Sequence, residues 1–193
     1  MKWSAFNLRS FCWLILALLN AACVTQPQRV SGNSAAHSAA ELSKWSANGK
    51  IGVSGTEQSG SGSFTWQQVA EISKLQVRGP VGTGSLQITL NGTQLSMQSS
   101  DGTQYNTEQV LTELETRLGV AVPVNQLRYW LLGVPGPGKY QWSEANTVLE
   151  QDGWHIVYGE WLQRGELRVP ARLTLTREQL RIVMVVQGWQ LDS

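Results

Sequence analysis

The chain has 193 residues, with 15 Lys and Arg against 14 Asp and Glu and a formal net charge of +1. This length suits one ordinary domain with a tail. A hydrophobic fraction of 41% is too low for a multi-span membrane protein, and the balanced charge points to no nucleic acid.

Only 15% of residues are charged, while Gly, Ser, Thr, Gln and Trp are plentiful, a mixture that reads as a β-rich exported protein rather than a cytosolic enzyme. Export is also written at the N-terminus. Lys2 and Arg9 form a basic n-region, and FCWLILALL (11–19) is a short apolar segment. It falls below the roughly 20 residues that a membrane-spanning helix needs, so it reads as a signal peptide. LNAAC follows, ending at Cys23. Two small residues before a cysteine are similar to a bacterial lipobox, where a signal peptidase cuts and the cysteine becomes the acylated first residue. Asn20 stands where leucine is usual, with Leu19 one place further off. The alternative is an ordinary signal cleaved after an A-x-A-like site.

Under the lipobox reading, residues 1–22 are removed, Cys12 leaves with them and Cys23 carries lipid. No thiol then remains for a disulfide or a metal, and the mature charge becomes about −1. Val24 becomes the second residue. In the sorting rule that the lipobox resemblance implies, aspartate at that place favours inner-membrane retention and valine does not, which gives an outer-membrane address facing the periplasm.

Residues 23–40 are small and polar without a sustained period, and read as a lipidated N-terminus with a flexible tether. The folded domain is expected over 41–193. A short helix is expected near its start, where Leu42 and Trp45 lie three apart. From Ala47 the period becomes two: Ile51 with Val53, Phe64 with Trp66, Leu75 with Val77, Leu86 with Ile88 and Leu90, and Leu95 with Met97. Asn-Gly and Asp-Gly pairs between these runs favour tight hairpins. The first half is therefore an antiparallel meander with one apolar and one polar face.

Between the third and fourth runs, VRGPVGTGS (77–85) puts Val81 in a turn between Pro80 and Gly82. Single exposed apolar residues are ordinary, so the turn alone leaves open whether Val81 is merely solvated or makes a contact.

Asn106 or Thr107 can cap TEQVLTELETRLG, whose Val110, Leu111, Leu114 and Leu118 share a face before Gly119. VPVNQLRYWLLGVPGPG places Leu127, Trp130, Leu131 and Val134 at helical spacing, broken by Gly133 and Pro135. The meander then resumes through KYQW, NTVLEQ, GWHIVYGEW and LRVPARLTL. RIVMVVQGW is apolar on both faces and reads as the most deeply buried strand. The fold class is thus mainly β with α: a single curled antiparallel sheet of about ten or eleven strands with about three helices. A sheet of that size curls, and two short helical stripes and a fragment are little cover for its apolar face. Either a cavity lined by aliphatic and aromatic side chains results, or Trp and Leu side chains pack the space solid.

Catalytic groups are sparse. His37 lies in the tether, and His155 sits on a strand without Cys, Asp or a second His at metal-ligand spacing. There is no nucleophile elbow, and the Gly-rich stretches lack the Gly-Lys-Ser/Thr of a phosphate loop. Glu108, Glu113 and Glu115 decorate a helix, and Glu144, Glu150 and Asp152 lie in or near turns. No acid/base pair stands out. The expectation is a protein that is no enzyme and holds no cofactor and no metal.

Three segments carry a resemblance: GPVGTGSLQITL (79–90), VPVNQLRYWLLGVPGPG (122–138) and GWHIVYG (153–159). In the middle one, Asn125, Leu127, Arg128, Trp130, Leu132, Gly133 and Pro135 form the most specific pattern. Their order and spacing over roughly 41–190 resemble the LolB family of outer-membrane lipoprotein receptors. The resemblance implies an unclosed half-barrel whose concave face is covered by helices and holds the acyl chains of a client lipoprotein. It implies a LolA-like periplasmic carrier, acylated client lipoproteins and the inner leaflet of the outer membrane as partners of a monomer. It also implies a protruding loop with an exposed apolar residue just after a proline, here Val81, that serves membrane delivery.

Candidate cavity residues are Ile51, Val53, Phe64, Trp66, Leu75, Val77, Leu86, Ile88, Leu95 and Met97 from strands. Leu114, Leu118, Leu127, Trp130 and Leu131 are the candidates from helices. Apolar residues serve a cavity and a core alike. The other readings are a lipoprotein that binds another lipid or hydrophobic ligand, a sensor domain of similar shape, and a lipoprotein hydrolase.

Overall fold

The computed structural model describes residues 39–55, 59–80, 84–143 and 145–192. Cys23, the tether up to residue 38 (with His37), Val81 and Glu144 lie outside the described residues. The strands are β1 (Lys44–Ser54), β2 (Ser59–Val69), β3 (Ile72–Arg78), β4 (Ser85–Asn91), β5 (Gln94–Ser99) and β6 (Gln104–Tyr105). After helices α1 (Thr107–Leu118) and α2 (Val124–Leu131) come β7 (Tyr140–Trp142), β8 (Val148–Gln151), β9 (Trp154–Arg164), β10 (Leu167–Arg177) and β11 (Leu180–Asp192).

All strands join one 11-stranded antiparallel sheet in the order β6-β5-β4-β3-β2-β1-β11-β10-β9-β8-β7. Two meanders therefore meet where the first strand pairs with the last. The edges, β6 and β7, are two and three residues long and do not pair with each other, so the sheet stays unclosed. Short edges offer little template for another chain.

The period-two runs put one side of every long strand into a common core. Trp45, Ala47, Phe64, Trp66, Leu75, Ile88, Leu95 and Met97 are buried from the first meander, and Ile156, Leu173, Leu175 and Met184 from the second. β11 reads inward at Leu180, Ile182, Met184 and Val186, with Val183 and Val185 half-buried on the other face.

Among the described residues two helices form as complete elements, not the three expected. Trp45 belongs to β1, is 3% exposed and stacks on Trp66 at 6.0 Å. A single three-residue spacing could not distinguish a helical turn from the strand that follows, and the alternation through Ala47 prevails. α1 starts on a capping box: Asn106 Oδ1 accepts from Gln109 N–H at 3.2 Å, and Gln109 Oε1 accepts from Asn106 N–H at 3.0 Å. Such a cap stabilises a helix by about 1 kcal/mol. Gly119, at φ 78°, closes α1 in the left-handed conformation. Val110 and Leu114 turn inward, while Leu111 is 48% exposed and leaves the face assigned to it from spacing. α2 buries Val124, Gln126, Trp130 and Leu131.

Candidate functional site

The two ends of the inner face differ. One end collects the turns that follow Ser54, Arg78, Ser99, Gln151 and Arg177; the other holds the start of β1 and the β2–β3 turn. At the second end aromatic rings fill the space. Trp45 lies 5.7 Å from Trp189, and Tyr158 contacts Trp161 at 5.2 Å and Trp142 at 5.7 Å. At the first end the inward side chains of β1, β3 and β4 are aliphatic, and Ile51, Val53, Val77 and Leu86 are only half-buried, whereas Trp154 at the start of β9 is buried against Trp130 at 5.9 Å. The apolar face is thus filled by rings at one end and half-open along β1, β3 and β4 at the other.

Between them lies a small cavity of about 50 Å³. Ile51, Trp66, Leu75, Leu127, Trp130 and Leu131 line it, as do Leu173, Leu175, Ile182 and Met184. The first six are among the residues anticipated from sequence. Phe64, Ile88, Leu95, Met97 and Leu114 are buried in the surrounding core, and Val53, Val77, Leu86 and Leu118 pack half-buried against it. The four β10 and β11 residues were missed. Their alternation is visible in sequence, but only the pairing of β1 with β11 brings Met184 and Ile182 opposite Ile51 and Val53, with Leu173 and Leu175 one strand further on. An apolar cavity of about 150 Å³ holds a single benzene ring, so a space of about 50 Å³ takes no acyl chain unless the cover moves.

That cover is α2, and its attachment is lopsided. On the β8–β9 side, Trp130 Nε1–H donates to Gln151 Oε1 at 2.9 Å, and the Gln151 amide group holds both the N–H and the carbonyl of Gly136, at 3.0 and 2.8 Å. Tyr158 Oη–H donates to the Trp130 carbonyl at 3.0 Å; burial pushes this hydroxyl well above its ordinary pKa, so it remains a donor. Gln126 Nε2–H donates to Asp152 Oδ2 at 2.9 Å and to the Pro137 carbonyl at 3.0 Å. On the opposite side, Arg128 reaches Glu71 at 3.2 Å, and the Glu71 side chain is 72% exposed. Buried hydrogen bonds thus hold one side of α2, and a solvent-screened ion pair holds the other.

The β3–β4 connection leaves from the open end. Its base is fixed where Gly79 N–H donates to the Gly84 carbonyl at 3.1 Å, and Gly84 adopts φ 89°. A Cβ at Gly84 would come within 2.6 Å of Ser100 Oγ, so glycine is required there on both counts. Val81 belongs to this connection. His155 sits on the surface, with Nδ1 3.4 Å from Glu150 Oε1, far from the apolar face in both position and chemistry.

A family model, "Outer membrane lipoprotein LolB", matches residues 43–189. The chain is similar to proteins named outer-membrane lipoprotein LolB. The one from Pseudomonas fluorescens is 31% identical over 153 residues, covering 77% of this chain and 75% of that protein. The one from Stutzerimonas stutzeri is 31% identical over 189 residues, covering 91% and 92%. The one from Francisella tularensis subsp. tularensis is 31% identical over 161 residues, covering 80% and 78%. The matched span takes in the sheet from β1 to β11, both helices and the half-open apolar end: the chain belongs to the LolB family.

Proposed function

We propose that this LolB-family chain receives acylated lipoproteins from a LolA-like periplasmic carrier and releases them into the inner leaflet of the outer membrane. It is a lipoprotein of the outer membrane and not an enzyme. The observation that supports transfer of acyl chains is the concave apolar face, half-open at one end and covered by a helix that is firmly held along one side only.

The driving force is partition. Each buried CH₂ stabilises an acyl chain by about 0.8 kcal/mol, so a multi-acylated client does not cross water unprotected. Handing the client on without ATP or a covalent step requires a receiver that holds the chains more strongly than the carrier, and a bilayer that holds them more strongly still. Opening α2 about its β8–β9 hinge exposes Leu127, Trp130 and Leu131 together with the strand residues beneath them.

Lipid on Cys23 anchors the receiver. The tether reaches the domain at Ala39, which is buried in the core ahead of β1, and from Cys23 to Ala39 it can extend about 55 Å at roughly 3.3–3.6 Å per residue. That is about one and a half times the length of β1, so the loop with Val81 can face the same membrane and lead delivery. The deciding experiment incubates the protein with client-loaded carrier and asks which partner retains the client. Retention by the carrier, with the receiver folded, overturns the reading.

A further inference from the structure

The outer face of the sheet carries a pattern that cargo handling does not use. Strands β3, β2, β1, β11 and β10 lie side by side, and their outward cations include Lys50, Lys74, Arg78, Arg172 and Arg181, all exposed. These five strands contain one carboxylate, Asp192, which is paired with Lys44 at 2.8 Å at the aromatic end. Register places three of the cations in one row: Arg78 opposite Ser63, Ser63 opposite Lys50, Lys50 opposite Val185 and Val185 opposite Arg172. With strands about 4.8 Å apart, successive cations stand about 10 Å from each other, near the screening length of physiological salt. They therefore repel one another weakly while facing the same surface.

Lys50, Arg78, Arg172 and Arg181 form no ion pair among the described residues. Among the described residues the nearest carboxylates by register and sequence are Glu160, opposite Arg172, and Glu178 in the β10–β11 turn, and neither bonds to them. The face is also hollowed beside the β3–β4 loop. A shallow groove is lined by Lys50, Ser61, Ser63, Pro80, Val183 and Val185, and a Cβ at Gly52 would meet nothing within 4 Å. An ammonium, two hydroxyls and apolar flanks suit a phospholipid headgroup: phosphate on the polar atoms, glycerol and the first methylenes on the valines.

We propose that this row and groove dock the domain on anionic phospholipids of the membrane that anchors it, laying the β3–β4 loop against the headgroups. The inference rests on the reading that the protein works at a membrane surface. It adds a lipid class and a docking face to that reading. Charge complementarity supports it, as does the continuity of the groove with Pro80, the residue before Val81.

The test uses the full lipidated chain in vesicles that contain a dansyl-labelled lipid, with the tryptophans as energy donors. Tethering holds the domain near the bilayer in every case, so energy transfer reports docking alone. Transfer is expected to be greater on vesicles containing phosphatidylglycerol than on phosphatidylcholine alone, and to fall with added salt. The variant Lys50→Gln/Arg78→Gln/Arg172→Gln/Arg181→Gln should lose this preference, with the docked-to-undocked ratio falling about fivefold for each charge removed. Near-ultraviolet circular dichroism checks its fold, and Lys50→Gln/Arg78→Gln replaces it if the fourfold variant unfolds. Arg117→Gln, on α1, should dock as wild type. A folded row variant that still prefers anionic vesicles overturns the proposal, whatever client transfer does. So does one that docks normally but takes client poorly from the carrier, which would assign the face to an acidic protein partner. If the preference is present but no client is ever accepted, the lipid-docking proposal stands and the receptor reading fails.

Discussion

Arg128 on α2 and Glu71 on the β2–β3 turn form an ion pair at 3.2 Å, the only ion pair that joins α2 to the sheet among the described residues. Ala70, beside Glu71, sits at φ 49°, and the buried Gln68 holds its carbonyl through an Nε2–H bond at 2.6 Å. The turn is thus fixed in an uncommon conformation that presents the carboxylate to the helix. Glu71→Gln should change stability by less than about 0.5 kcal/mol, as expected of an exposed pair. It should nevertheless speed the uptake of an environment-sensitive apolar dye, measured by stopped-flow fluorescence. Unchanged uptake would show that this edge does not limit opening.

The hinge side should behave oppositely. Gln151→Ala removes the acceptor of Trp130 Nε1–H and both bonds to Gly136. Leaving these buried groups unpaired should cost about 2–4 kcal/mol. Urea unfolding measures it, and a loss within the range of a surface substitution would contradict the hinge.

Leu131 is 1% exposed and lines the cavity. Leu131→Ala should destabilise the domain by about 2–5 kcal/mol, as for other buried leucines. The same change enlarges the space, so the folded variant should bind the dye more tightly, and acylated peptide should displace it. A folded variant with no dye binding would mark the interior as packed core alone.

Val81→Glu tests the loop. Because the loop base is held by Gly79 and Gly84, stability should shift by no more than about 0.5 kcal/mol. Uptake from the carrier should survive, whereas delivery into liposomes should fail, since a carboxylate resists entering hydrocarbon and is repelled by anionic headgroups. Val81→Leu should deliver at least as well as wild type. Scoring the two transfer stages separately decides the matter, and normal delivery by folded Val81→Glu would falsify the role of the loop.

The anchor is tested by labelled palmitate. Wild type should take up label, and Cys23→Ala should take up none and remain unprocessed. Failure of wild type to label would remove the lipobox reading, with Asn20 the first suspect.

Much of this architecture was legible because alternation is a local property. Ile51 with Val53, Leu75 with Val77 and Leu173 with Leu175 declare strands and an inward face without knowledge of any partner. The helix capped by Asn106 was legible for the same reason. What stayed hidden is non-local. No feature near Ile182 or Met184 announces that they lie beside Ile51, because that adjacency depends on which strands pair. Gln151 and Gln126 carry polar amides, yet they are 2% and 6% exposed. Their burial depends on α2 folding over β8, which no short window records. The outer row of Arg78, Lys50 and Arg172 joins residues up to 122 positions apart, and only cross-strand register aligns them.

Pairing β11 with the central strand β1 also constrains when the molecule can form. β1 has its neighbours β2 and β11 on either side, so the first meander and the second remain two open half-sheets until the last strand arrives. Each half would expose an apolar edge and much of its inner face. Contacts between strands at opposite ends of the chain carry a large loop-closure cost and form slowly. A chain passing through an export channel from its N-terminus could not complete this core before β11 emerged. The same pairing that builds the apolar concave face would thus keep the polypeptide threadable during export and defer its folding to the far side of the membrane.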